Sequence, residues 1–142
     1  MLTVNDLMTV NPITIEPTTT LRRIIEIMKQ EGCRQIPIMD EGQLVGIVTD
    51  RDVRLAMNSP MVLHGRWQDE ELLDKAMAEN VMTPNPLTTT PETPIHQAAR
   101  MLSTYKFGAL PVLDNGTLVG IITVSDLLDH LAASQPDTLV SD

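Results

Sequence analysis

The sequence predicts an α+β fold, α/β-like in its alternation, built from one β-α-β-β-α unit present twice. Three observations predict it. The 142-residue chain repeats itself at an offset of 74. Each copy carries an apolar stripe of helical period, followed by two apolar strand-like runs joined by a short turn. The repeat is read first, because a missed duplication mis-assigns every later element. Met8-Thr9 returns as Met82-Thr83, Asn11-Pro12 as Asn85-Pro86, Thr14 as Thr88 and Pro17 as Pro91. Pro37, Asp40 and Gly42 land on Pro111, Asp114 and Gly116. Leu44-Val45-Gly46-Ile47 lands on Leu118-Val119-Gly120-Ile121, Thr49 on Thr123 and Asp52 on Asp126. No gap is needed between residues 8 and 53.

Each copy opens on a short extended run, Ile13 to Ile15 and Leu87 to Thr89, with Asn-Pro before it and a turn-marking Pro after it. A helix follows. Leu21, Ile24, Ile25 and Met28 stand at i, i+3, i+4 and i+7, and Ile95, Ala98, Ala99 and Leu102 repeat the stripe. Thr19 and Thr93 stand where the helix start wants a capping oxygen. The next strand is Ile36 to Met39, matched by Leu110 to Leu113. Asp40-Glu41-Gly42-Gln43 and Asp114-Asn115-Gly116-Thr117 suit hairpin turns that need positive φ. The returning strands, Leu44 to Val48 and Leu118 to Ile122, are almost wholly apolar, which predicts cover on both faces. A second helix follows each, from Asp52 to Met57 and from Asp126 to Ala133.

The organisation is a first copy over residues 1–57, a helical insert over 58–78, a second copy over 79–133, and a flexible tail over 134–142. In the insert, a polar piece broken by proline, Asn58-Ser59-Pro60, precedes a helical stretch. There Glu70, Glu71, Asp74 and Glu79 lie to one side of Leu72, Leu73, Ala76 and Met77. That pattern predicts a solvated amphipathic helix covering the repeat junction, with a protein-docking face as the alternative.

Composition narrows the function classes. Hydrophobic residues are 42% and charged residues 20%, which is globular rather than disordered. Net charge is −9, and aromatics are only 2%. An acidic chain repels phosphate backbones and has little to stack on bases, so no nucleic-acid partner is expected. Cys33 is the only cysteine, so an internal disulfide is excluded. The first ten residues lack a basic segment and an apolar core, and no run approaches the roughly 18 apolar residues of a membrane span. A cytoplasmic protein with no membrane partner is expected.

The chemistry concentrates in Thr-x-x-Asp after the last strand of each copy: Thr49-Asp50-Arg51-Asp52 and Thr123-Val124-Ser125-Asp126. Two readings apply. In one, the hydroxyl and carboxylate cap a helix and do nothing more. In the other, the helix start is an anion site and the carboxylate accepts from the two hydroxyls of a ribose. A nucleotide carries both groups.

The series M-T-x-N-P, then P-hydrophobic-x-D-x-G, then L-V-G-I-[VI]-T-x-x-D resembles the CBS-domain family, whose tandem pair is often called a Bateman module. The match covers about residues 3 to 57 and 79 to 132. The resemblance implies two β-α-β-β-α motifs packed sheet to sheet with pseudo-twofold symmetry, clefts that take AMP, ADP, ATP, S-adenosylmethionine or NAD(H), and a homodimer formed through helices. Carried over by residue, it implies that Asp52 and Asp126 hold ribose hydroxyls, and that Thr49 and Thr123 bond ribose or phosphate. Thr14 and Thr88 would sit beside the base. Ile36-Pro37 and Leu110-Pro111 would offer backbone groups and an apolar wall to adenine, and Arg51 and Ser125 would reach phosphate. Arg51, with Arg54 one turn on, makes the first copy the better phosphate site; the alternative is that Arg51 only neutralises Asp50 and Asp52.

Other candidates are poorer. His64, His96 and His130 stand apart, so no metal site is expected. Cys33 beside Arg34 reads as a small buried apolar residue, and no nucleophile-elbow sequence is present. The expected function is a standalone, non-enzymatic module, with no required cofactor, that binds an adenosyl nucleotide and signals occupancy to a separate effector protein. A dimeric scaffold with vestigial clefts is the alternative.

Overall fold

The computed structural model describes residues 1–58 and 66–134, with the side chains of residues 66–69 left aside. Ser59-Pro60, His64 and tail residues 135–142, on which the sequence carried expectations, lie outside the described residues.

In chain order the elements are α1 (Val4–Leu7), β1 (Thr9–Val10), α2 (Leu21–Glu31), β2 (Gln35–Asp40), β3 (Gln43–Thr49) and α3 (Asp50–Met57). Then come α4 (Arg66–Lys75), α5 (Ala78–Val81), β4 (Thr83–Pro84), α6 (Ile95–Tyr105), β5 (Ala109–Asp114), β6 (Thr117–Thr123) and α7 (Val124–Ala133). The strands form two three-stranded antiparallel sheets, β2-β3-β4 and β1-β6-β5. The β-α-β-β-α order is present in both copies, giving the α+β class.

The chain folds as two compact units, and these cross the copies at their beginnings. One unit is Pro12–Pro86; the other joins Met1–Asn11 to the chain from Leu87 onward. The opening segment of each copy therefore folds into the unit built on the other copy. Backbone hydrogen bonds fix it there in register. In the first-copy unit, Leu21 N–H donates to the Ala76 carbonyl (2.8 Å), Ala78 to Thr19 (2.8 Å) and Glu79 to Pro17 (3.0 Å). In the second-copy unit the repeat-matched bonds run from Ile95 to Leu2, Val4 to Thr93 and Asn5 to Pro91, each 2.9 Å. The first N–H of α2 and of α6, an orphan by helix geometry, is thus satisfied by that segment.

Each unit has its own core. Leu21, Ile24, Ile36, Ile38 and Val48 are wholly buried in the first-copy unit, with Ala78 of α5 among them. Val4, Ala98, Leu110, Val112 and Ile122 fill the second. The helical stripes are therefore the core faces, as their period requires.

Several expectations need correction. Thr19 and Thr93 do not cap the helices: their hydroxyls accept from the N–H of Glu16 and Thr90, closing the preceding turn. Thr20 is the cap of α2, accepting from Arg23 N–H (3.2 Å), and its counterpart Pro94 has no side-chain acceptor. The runs Ile13 to Ile15 and Leu87 to Thr89 give only one bridging residue each, because flanking prolines interrupt the ladder. Ile15 N–H donates to Pro37 and its carbonyl accepts from Met39; Thr89 does the same with Pro111 and Leu113. Helices α3 and α7 start at Asp50 and Val124, two residues early, since Thr49 and Thr123 are the caps. The hairpin turns hold: Glu41 and Gly42 have φ of 50° and 80°, and Asn115 and Gly116 have 51° and 84°.

In the insert, the acidic side of α4 stays exposed while it holds an arginine of α2. Arg22 of α2 donates to Asp74 (2.7 Å) and Glu70 (2.5 Å), while Leu72, Leu73 and Ala76 pack on the core of the same unit. Two of the four carboxylates expected to face solvent are thus clasped.

Candidate functional site

Thr-x-x-Asp occupies the same geometry in both units. Thr49 ends β3, paired across the ladder with Gln35, and Thr123 ends β6, paired with Ala109. Asp52 N–H donates to the Thr49 hydroxyl (3.1 Å) and Thr49 N–H donates to Asp52 Oδ2 (3.0 Å). Asp126 and Thr123 exchange the same pair of bonds at 3.0 and 2.9 Å. These are reciprocal capping boxes, and each settles two orphan donors at a helix start. Each carboxylate is half-buried, held at the mouth of a helix N-terminus where negative charge is favoured.

The carboxylates differ in what else they accept. Thr83, on β4, stands beside Asp52 with its hydroxyl 3.4 Å from both Oδ1 and Oδ2. Its counterpart Thr9 makes no such bond to Asp126 among the described residues. Sequence reading missed Thr83, although M-T in the repeat was its signal.

The remaining predicted residues divide into accessible and buried. Thr14, Arg51 and Ser125 are exposed, and Thr88 is half-buried. Arg51 forms no ion pair among the described residues; Arg54 takes Asp50 instead, at 3.1 Å and one turn apart. The expectation that Arg51 neutralises Asp50 is thereby replaced. Ile36, Pro37, Leu110 and Pro111 are wholly buried. They offer no exposed apolar wall: they lie on β2 and β5, the outer neighbours of β3 and β6, and Ile36 and Leu110 belong to the two cores. The carbonyls of Pro37 and Pro111 already accept from Ile15 and Thr89.

The first-copy unit carries an open hollow of about 690 Å³ lined by Thr14, Glu16, Asp40, Glu41 and Glu79, among others. In the second-copy unit a hollow of about 460 Å³ is lined by Asn5, Pro91, Glu92 and Asp114, among others. Thr14 thus borders an acidic depression whose lining includes neither Thr49 nor Asp52. Among the described residues no group of three or more His, Cys, Asp or Glu is arranged to hold a metal, and no helix is long and apolar enough to cross a membrane.

Comparison with known proteins gives a consistent answer. The CBS domain model matches twice, over residues 4–59 and 78–133. A CBS domain-containing protein of Dictyostelium discoideum is 37% identical over 130 residues, 90% of each chain. Among solved structures, the CBS domain pair of protein MJ0100, in complex with 5′-methylthioadenosine and S-adenosyl-L-methionine, has a TM-score of 0.81 at 26% identity. It covers 95% of this chain and 99% of that one. CBSX2 of Arabidopsis thaliana, solved in complex with AMP, has a TM-score of 0.76 at 30% identity, covering 95% and 100%.

Proposed function

The chain belongs to the CBS-domain family, and on that footing we propose that it is a regulatory module that binds an adenosyl nucleotide and performs no catalysis of its own. The observation that carries the reading is the repeated carboxylate at a helix start, Asp52 and Asp126, each with acceptor capacity beyond its capping bond. A ribose offers two adjacent hydroxyls, and an aspartate offers two oxygens at matching spacing. Adenosyl ligands on two related CBS pairs support the choice of ligand class.

In this reading Asp52 and Asp126 accept from the ribose diol, while Thr49 and Thr123 stand next to the 5′ substituent. Arg51 supplies a guanidinium fork for phosphate in the first-copy unit, where Ser125 supplies only a hydroxyl in the second. AMP, ADP or ATP then favours the Asp52 side, and a less charged adenosyl compound such as S-adenosylmethionine suits the Asp126 side. Thr14 and Thr88 belong to the base end. No resident cofactor is needed.

Occupancy acts by linkage: a ligand shifts a conformational equilibrium only through its different affinities for the two forms. The output passes to a second copy and to an effector protein in the cytoplasm. Leu55 of α3 in one unit, 60% exposed, and Leu128 and Leu131 of α7 in the other, 59% and 65% exposed, are apolar helix side chains suited to a homodimer formed through helices.

A thermal-shift panel of AMP, ADP, ATP, S-adenosylmethionine and NADH tests the reading. A ligand at 100 times its Kd adds about 2.7 kcal/mol of stability. The shift is expected with at least one ligand and is lost in the Asp52→Asn, Asp126→Asn double variant, in which the amide oxygen still accepts the capping N–H. The scaffold reading is favoured by the complete capping boxes, and it predicts no shift with any ligand.

A further inference from the structure

The two carboxylates are equivalent in sequence and unequal in their surroundings. Asp126 Oδ2 accepts from Thr123 N–H, and among the described residues Oδ1 has no protein donor. Asp52 Oδ2 accepts from Thr49 N–H in the same way, but a second donor faces it. The Thr83 hydroxyl sits 3.4 Å from Oδ1 and 3.4 Å from Oδ2, straddling the open side of the carboxylate. A diol chelating a carboxylate approaches along that same bisector, one hydroxyl to each oxygen.

We propose that Thr83 is a specificity-determining residue that occupies the Asp52 carboxylate as an internal stand-in for a sugar hydroxyl, so that a ribose must displace it. The proposal rests on the adenosyl-binding reading and sets which of its two sites fills first. Asp126 presents an open acceptor, and Asp52 presents one already engaged.

The chain path makes the device local. Thr83 lies on the two-residue strand β4, which pairs with β3 through Gly46↔Pro84 and Ile47↔Thr83. Ile47 is two residues before the cap Thr49, so the hydroxyl is delivered to Asp52 by backbone pairing and not by a mobile loop. Thr9 has the corresponding place on β1, opposite Ile121 of β6, yet makes no bond to Asp126 among the described residues. The difference therefore lies in side-chain placement within a shared backbone. A ligand that releases Thr83 also removes one tie between β4 and the start of α3, coupling occupancy to the segment that the second copy contributes to this unit.

The test is calorimetric titration of the full chain with adenosine. In an Asp126→Ala background the Asp52 site is read alone. Thr83→Val removes the hydroxyl with little change of shape and is expected to tighten adenosine about three- to tenfold, as expected for relieving a weak hydrogen bond to a charged acceptor. Thr83→Ser restores the hydroxyl and returns the affinity to that of the background. In an Asp52→Ala background, Thr9→Val leaves the Asp126 site unchanged. Unchanged or weaker binding in Thr83→Val, or a background without binding that Thr83→Val does not restore, overturns the proposal while leaving the adenosyl reading intact as long as the unaltered chain binds adenosine. Absence of adenosine binding at both sites overturns the reading and the proposal together.

Discussion

Met82 and Gly46 fill one space: a Cβ built on Gly46 would collide with the Met82 sulfur and stand 3.1 Å from the Thr83 carbonyl. The second copy repeats the contact, with the Cβ of a substituted Gly120 falling 2.6 Å from the Met8 sulfur and 2.9 Å from the Thr9 carbonyl. Neither glycine has positive φ, so close approach and not backbone freedom explains both. The Met of M-T and the Gly of L-V-G thus meet across the strand pairs β3–β4 and β6–β1.

Alanine at either glycine should overpack this crossing. A loss of about 1–3 kcal/mol is expected from chemical denaturation. Gly120→Ala should cost more than Gly46→Ala, because the nearer Thr9 carbonyl is backbone and belongs to the β1–β6 pairing. Equal stability of both variants and the parent would mean that the short strands shift freely.

The C-terminus of α6 invites the opposite change. Lys106 has φ of 61°, a left-handed position that its counterpart Gly32 fills with φ of 66°. Lys106→Gly should relieve the Cβ strain and stabilise the protein by up to about 1 kcal/mol. A lowered midpoint in the same denaturation would show that the lysine side chain compensates.

The clasp between α2 and α4 carries a pH and salt signature. The Arg22 hydrogen bond holds the Asp74 carboxyl below the usual carboxylate range. A depressed folded-state value means the contribution is full above the unfolded carboxylate value and fades as pH falls through the folded one. Amide protection in α4, taken relative to the intrinsic exchange rate at each pH, should therefore fall at acid pH, in high salt and in Arg22→Ala, with α6 unaffected by that variant. Protection insensitive to all three would mean that Leu72 and Leu73 alone hold the helix.

Burial pushes the Cys33 thiol up from its ordinary value. Its thiolate fraction near neutral pH is correspondingly small. Alkylation by iodoacetamide in the folded protein should be slower than in the denatured chain. Faster reaction when folded would assign a reactive role to this cysteine.

Much of the fold was legible because the repeat supplied two readings of each element. The stripes from Leu21 and Ile95, the β-branched runs and the Asp-x-Gly turns each answer to one local rule, and all appear as read. What escaped was set by partners distant in sequence. The segments holding α1–β1 and α5–β4 have no period of their own; Val4 and Ala78 are buried because each segment folds into the other copy's unit. Asn11 and Asn85 show φ of 50° and 48°, so the Asn-Pro signature is a left-handed turn whose purpose appears only beside β6 and β3. At the site, the Thr49–Asp52 and Thr123–Asp126 pairs were local and legible. Burial of Ile36 and Pro37, and the approach of Thr83, depend on strand pairing and were not.

The central claim is that Asp52 and Asp126 recognise a sugar diol. Calorimetry of the unaltered chain with adenosine and with 2′,3′-dideoxyadenosine tests it most directly, since the two ligands share the base and differ only at those hydroxyls. The account predicts at least about tenfold weaker binding without them, as losing charge-assisted hydrogen bonds requires. Equal affinity for both compounds would contradict it.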